Sequence, residues 1–198
     1  ILMPLLFSCS GGGSSAGMLG QLPDKYAQFT EEKAELKKEA QNIKTEADKK
    51  RFLEKSEKLN KKWKEKLEAT AKDLNGKPIE FAESQFEVTI PVSLEFEEFS
   101  SESALTPKFK VNGEAKAASD ITTDQKYYYS TENVYITGYD AEGKQVYKAR
   151  VGSVEVQDAD GKLLVKAGTP VKFDKLGFGK ADVEGSKLAK SYKLEMVR

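Results

Sequence analysis

Histidine is missing altogether, and with it go the commonest metal ligand and the side chain that most readily titrates near neutral pH. No nucleophile can therefore be partnered by an imidazole base. Cysteine occurs once, at Cys9, which excludes an internal disulfide and leaves stability to packing. Net charge is absent as well: 32 Lys and Arg balance 32 Asp and Glu, whereas a nucleic-acid binder carries a concentrated basic face. The apolar stretch Ile1–Phe7 falls far short of the ~20 residues that cross a bilayer as a helix. Finally, neither glycine nor proline interrupts residues 24–74.

What is present begins at that apolar stretch. It holds no charge, carries the helix breaker Pro4, and runs through Leu6-Phe7-Ser8-Cys9 into the glycine/serine tether Ser10-Gly11-Gly12-Gly13-Ser14-Ser15. A hydrophobic segment ending in small residues reads as the tail of an export signal whose start precedes Ile1. Leu6, Ser8 and Cys9 resemble the lipobox of bacterial lipoproteins, with an aliphatic residue three before the cysteine and a small one just before it. Phe7 departs from that pattern, which usually has a small or aliphatic residue there. The resemblance implies diacylation of the Cys9 sulfur and acylation of its freed amine. About two chains suffice for stable anchoring, so Cys9 is the expected membrane attachment. Ser10 replaces the aspartate of inner-membrane retention signals and no acidic cluster follows. The expected location is thus the outer membrane facing the periplasm, with the cell surface as the alternative.

Residues 24–74 are dominated by Lys, Glu, Ala and Leu, strong helix formers. Asn75-Gly76-Lys77-Pro78 supplies a stop. One uninterrupted rod would run about 75 Å. Two apolar seams at three-and-four spacing divide it: Tyr26, Phe29, Leu36, Ala40, Ile43 and Ala47, then, out of phase, Phe52, Leu59, Trp63, Leu67 and Leu74. Between them Thr45 has an acid three residues on, Asp48, in the pattern of a helix cap. Two antiparallel helices with a turn near residues 43–48 are expected, a single kinked helix being the alternative. Lys55, Lys58, Lys61, Lys62, Lys64 and Lys66 invite an anionic-surface reading, yet the stretch holds 15 basic against 12 acidic residues. Glu46–Lys50, Glu54–Lys58, Glu57–Lys61 and Glu68–Lys72 are Glu-first pairs four apart, as on a solvated helix face.

Beyond Pro78 the period changes to two. Phe86, Val88, Ile90, Val92, Leu94 and Phe96 alternate with polar residues, and Pro91 marks an edge or a bulge. Further strands are expected over 108–115, 133–140, 144–151, 154–158, 162–166, 170–173 and 192–197, with tight joints at 139–143 and 157–161. Asp140, Glu142, Asp158 and Asp160 look like fragments of a calcium loop, but the closing bidentate acid is lacking and hairpin turns need Asp and Gly anyway. The fold class is therefore α+β, a helical hairpin (24–76) followed by an antiparallel β-sandwich (77–198), behind the signal remnant and tether (1–23). The turn Tyr139-Asp140-x-x-Gly143, a following strand, and Lys166-Ala167-Gly168-Thr169-Pro170-Val171-Lys172-Phe173 resemble the immunoglobulin-like sandwiches of bacterial lipoproteins, including the FxLYD type, over roughly 107–174. Gly138 stands where that family prefers leucine. The resemblance implies a binding or spacing scaffold without catalytic residues.

No pair among the 32 acids is singled out for glycoside hydrolysis, and Gly177-Phe178-Gly179-Lys180 is too short for a phosphate loop. An enzyme is disfavoured, and no metal or cofactor beyond the Cys9 lipid is expected. The remaining candidates for ligand contact are Tyr127, Tyr128 and Tyr129. Successive strand residues face opposite ways, so one of these rings should leave the core and meet a sugar or a protein partner; the alternative is that Tyr128 packs inward while its neighbours line strand edges. The expected partners are the membrane, through the anchor, and an envelope protein or a glycan.

Overall fold

A computed structural model describes residues 17–123, 130–159, 162–177 and 185–196. Its first two elements are helices, α1 (Leu22–Ala40) and α2 (Glu46–Lys72), folded back on each other as a hairpin. Pro23 lies in the first turn of α1, where its missing amide costs nothing. The turn closes at Thr45, whose hydroxyl accepts from the Asp48 amide at 3.1 Å while the Asp48 carboxylate accepts from the Thr45 amide at 3.1 Å. This reciprocal cap decides for two helices over one kinked rod. At the far end α2 stops through Gly76, whose φ of 71° is a left-handed position suited to glycine.

Burial along the hairpin is graded. Near its base Tyr26, Phe29, Trp63, Leu67 and Leu74 are buried, whereas Leu36, Ile43, Phe52 and Leu59 further out are half-buried and Ala47 is exposed. Trp63, 1 % exposed, sits with its ring 6.2 Å from that of Phe29 and donates its indole N–H to Glu32 at 3.0 Å. Across the hairpin, Lys62 bridges to Glu32 at 2.9 Å and Lys55 to Glu39 at 2.6 Å, while Lys25 donates to Thr70 at 2.8 Å. Of the four expected Glu-first pairs on the helix surface, Glu68–Lys72 forms, at 2.6 Å; Glu46 instead approaches Lys49. The long side chains find acids on the neighbouring helix as readily as on their own.

Among the described residues ten strands follow: β1 (Phe86–Phe99), β2 (Pro107–Ala117), β3 (Ile121–Thr123), β4 (Thr131–Tyr139), β5 (Gln145–Glu155), β6 (Gln157–Ala159), β7 (Lys162–Val165), β8 (Val171–Phe173), β9 (Lys175–Gly177) and β10 (Ser191–Glu195). They form three antiparallel sheets in the orders β1-β2-β9, β10-β4-β5-β8 and β3-β7-β6. The architecture is α+β. One apolar core runs from Leu19 and Trp63 through Leu94 and Phe109 to Ile136 and Leu194, so hairpin and sheets share an interior.

Several strands differ from expectation for identifiable reasons. The register of β1 shifts around Pro91, opposite Gly113 at φ 132°, and this turns Ile90 outward to 48 % exposure although its alternation placed it on the buried face. The expected strands 144–151 and 154–158 are largely one strand, β5. Gly152 within it is no turn: a Cβ there would lie 2.3 Å from the Lys172 carbonyl, so glycine lets β8 approach. The joint at 139–143 is the expected turn. Asp140 accepts from the amides of Glu142 (3.1 Å) and Lys144 (2.8 Å), and Gly143 takes φ 78°.

Replacing the hairpin's cap, Thr45→Ala, is expected to cost about 1 kcal/mol, read as a lower urea midpoint with an unchanged slope. An unaltered midpoint would mean that the turn is held by the helix pairing alone.

Candidate functional site

The stop at the end of α2 leads into an extended linker, and around it a cleft opens. Four segments meet there. The Gly76 amide donates to the Leu94 carbonyl at 3.0 Å and Ile79 to Val92 at 2.7 Å, laying the linker on the edge of β1. Three residues later Ala82 donates to the Tyr192 carbonyl at 2.8 Å, on the edge of β10. Ser84 Oγ accepts from the Leu194 amide at 3.0 Å and Gln85 Oε1 from Met196 at 2.8 Å, so side chains continue where backbone pairing ends. The linker thus ties the edges of two sheets and removes both from reach of a stray strand.

The fourth segment is the start of the described chain. Gly20 at φ 53° turns it, with its amide on the Gly17 carbonyl at 2.7 Å. Met18 donates its amide to the Tyr192 hydroxyl at 2.7 Å. Gly17 can be nothing larger without displacement, since a Cβ would stand 2.6 Å from the Tyr192 hydroxyl and 2.7 Å from the Ser186 carbonyl. Burial pushes the Tyr192 phenol above its usual pKa, partly opposed by the Met18 amide. The hydroxyl is held as a fixed acceptor.

Between these segments lies a cleft of about 580 Å³. Leu74, Leu94 and Tyr192 are buried at its floor, Met18, Ile79 and Phe81 are half-buried along it, and Lys77, Glu80 and Lys190 stand exposed around it. Its single lining carboxylate among the described residues is Glu80, half of what a two-carboxylate hydrolysis requires. Among the described residues no cluster of three or more metal-ligating side chains occurs. What the cleft offers chemically is a trough lined about equally by polar and apolar groups, with charged side chains at its rim.

A second surface is one face of β4, where Tyr135 and Tyr139 are half-buried and Thr137 between them is fully buried, while Val134, Ile136 and Gly138 are buried on the other face. Lys193 and Lys148 flank Thr137 in register on either side. The Lys148 ammonium lies 4.2 Å from the Tyr135 ring centre and that of Lys193 5.4 Å from Tyr139, so both rings already carry cations. Tyr139 donates its hydroxyl to Glu195.

The sequence-based candidates, Cys9 and Tyr127, Tyr128 and Tyr129, lie outside the described residues. None of the cleft residues was a site candidate in the sequence. Ile79 and Phe81 fall in a short run without helix or strand period, and Leu74 reads as an ordinary seam position. The one available signal was the glycine-proline stop at 76–78, which marks a junction but not a hollow.

The Tyr139–Glu195 bond, aided by burial and the carboxylate's charge, pushes the phenol up to about 12. Because the folded pKa exceeds the ~10 of a free tyrosine, the protonated phenol is the stabilising form. Its contribution is complete below pH ~10 and is lost as the pH climbs through about 12. Alkaline absorbance titration should lose one late tyrosine in Tyr139→Phe, Tyr192 remaining, and should show that same tyrosine moved back toward ~10 in Glu195→Gln; a Glu195→Gln titration identical to wild type would refute the pairing. No protein-family model, curated protein or solved structure matches the chain.

Proposed function

We propose that this chain is a lipid-anchored envelope protein, acylated at Cys9, that serves as a non-enzymatic binding or assembly module with an immunoglobulin-like β-body. The observation that carries the reading is Leu6-Phe7-Ser8-Cys9 followed at once by a glycine/serine tether. A tether of that composition has too few side chains to bury and acts as a flexible coil. The outer membrane, periplasmic side, is the proposed location, with an envelope protein or a glycan as partner. Two features support a binding role: the trough beside Tyr192, and the absence of a histidine-dependent nucleophile from the whole sequence. No described helix is long and apolar enough to cross a membrane, so attachment in this reading falls to the lipid.

Expression in a Gram-negative host behind a complete lipoprotein signal, as wild type and as Cys9→Ala, tests the anchor. Wild type is expected to gain the mass of a triacylated cysteine and to float with membranes, the variant to do neither. Equal, unlipidated behaviour of both would sink the proposal.

A further inference from the structure

We propose that the cleft beside Tyr192 holds one acyl chain of an anionic phospholipid, with the head group against Lys77 and Lys190. The source is the membrane that carries the protein, and in that respect alone the inference rests on the anchored reading.

Size comes first. A hollow of about 580 Å³ falls within the ~300–1,000 Å³ typical of small-molecule sites. Its apolar surface comes from four separate segments, through Met18, Leu74, Ile79, Phe81, Leu94 and Tyr192. Three of these, Met18, Ile79 and Phe81, pack against the core yet are only half-buried and leave part of their surface to the trough. Hydrocarbon placed there would remove them from water.

Charge then selects the head group. Lys77 and Lys190 stand at the rim with no ion pair among the described residues, against one acid, Glu80. Other lysines find acids, as Lys55 does with Glu39, Lys62 with Glu32, Lys72 with Glu68, Lys172 with Glu155 and Lys175 with Glu97, while exposed ones such as Lys37, Lys50, Lys58 and Lys110 have no ion pair among the described residues; what sets Lys77 and Lys190 apart is their place at the rim of the cleft. Two cations at the rim of a trough partly lined by hydrocarbon complement an amphiphile whose polar end is an anion.

Position supplies the source. Gly17, which lines the cleft, is eight residues from Cys9. Eight residues reach at most about 26–29 Å when fully extended. A bilayer holding Cys9 therefore lies within that distance of the cleft, and the amphiphile it presents at highest concentration is phospholipid.

The test uses the full-length protein, lipidated wild type and Cys9→Ala, with phosphatidylcholine vesicles doped with a phosphatidylglycerol bearing a photoactivatable diazirine on one acyl chain. Crosslinked peptides are located by mass spectrometry. Adducts are expected on residues 77–82 and 189–192 in both proteins, with higher yield for the anchored one. Lys77→Glu with Lys190→Glu, both at exposed positions, should cut the yield roughly tenfold, and Phe81→Glu should cut it further, with circular dichroism and Trp63 emission unchanged. Adducts scattered over the surface, equal labelling from a diazirine phosphatidylcholine, or indifference to the charge reversal would overturn the inference. So would protection of the cleft by a fatty acid or by the chain's own residues 1–7 in place of phospholipid. Labelling at the cleft in a protein that mass analysis shows to be unlipidated would defeat the anchor and leave the cleft standing; lipidation without labelling there would do the reverse.

Discussion

The packing of the hairpin's base onto the first β-hairpin holds this molecule together. Tyr26 donates to the Ala104 carbonyl at 3.1 Å and Lys33 to the Ser103 carbonyl, so α1 grips the loop between β1 and β2. The residue just inside that loop, Leu105, takes φ 49°, a left-handed position that costs a side chain about 1–2 kcal/mol. It is nevertheless fully buried. Burying a leucine is worth roughly 1.5–3 kcal/mol, so the core outweighs the backbone strain and the loop keeps its shape. Loss of Trp63 or Phe29 would open a cavity beneath this contact, where large-to-small changes typically cost ~3–5 kcal/mol.

From that contact the remaining geometry follows in order. A hairpin seated on β1 brings the end of α2 to Leu94, and the stop at Gly76 sends the linker along the β1 edge. Because the linker then crosses to Tyr192, two sheets that share no strand are tied by a few backbone bonds and two side chains. The trough beside Tyr192 lies where the four segments converge. With a single cysteine in the chain, this tying of edges rests on hydrogen bonds and not on a disulfide.

Local pattern made part of this legible. Tyr26, Phe29, Trp63 and Leu67 fall on the three-and-four period and are buried; Thr45 and Asp48 spell a cap and form one; Asp140 and Gly143 spell a turn and make one. The period could not show how far the seam's burial extends. Leu36 and Leu59 obey it as well as Phe29 does, yet they stay half-buried because the sheets reach only the hairpin's base. Strands of three residues such as β3 and β9 are too short to display alternation, and Gly152 resembles a turn glycine until its neighbour Lys172 is known. The cleft was illegible for the same reason. Its walls come from residues as far apart in the chain as Met18 and Tyr192, and no one-dimensional period encodes that meeting.

The gradient of burial also separates the two ends of the hairpin in kind. At the base, apolar contact is continuous with the core and the pairs that accompany it are partly screened from water; the hydrogen bonds from Lys62 and Trp63 hold the Glu32 carboxyl below its usual range. At the tip, Lys49–Glu46 and Lys55–Glu39 are more than half exposed, the regime in which such pairs contribute ~0–1 kcal/mol. There Leu53 is 51 % exposed and the helices depend mainly on the Thr45 cap and on each other. Local opening therefore begins at the tip and proceeds toward Trp63, because free energy of opening tracks buried apolar contact. The linker and the cleft lie at the opposite end of the hairpin, beside the part that opens last. A trough bounded by the most stable end of the helices and by two sheet edges keeps its walls in place whether or not anything occupies it.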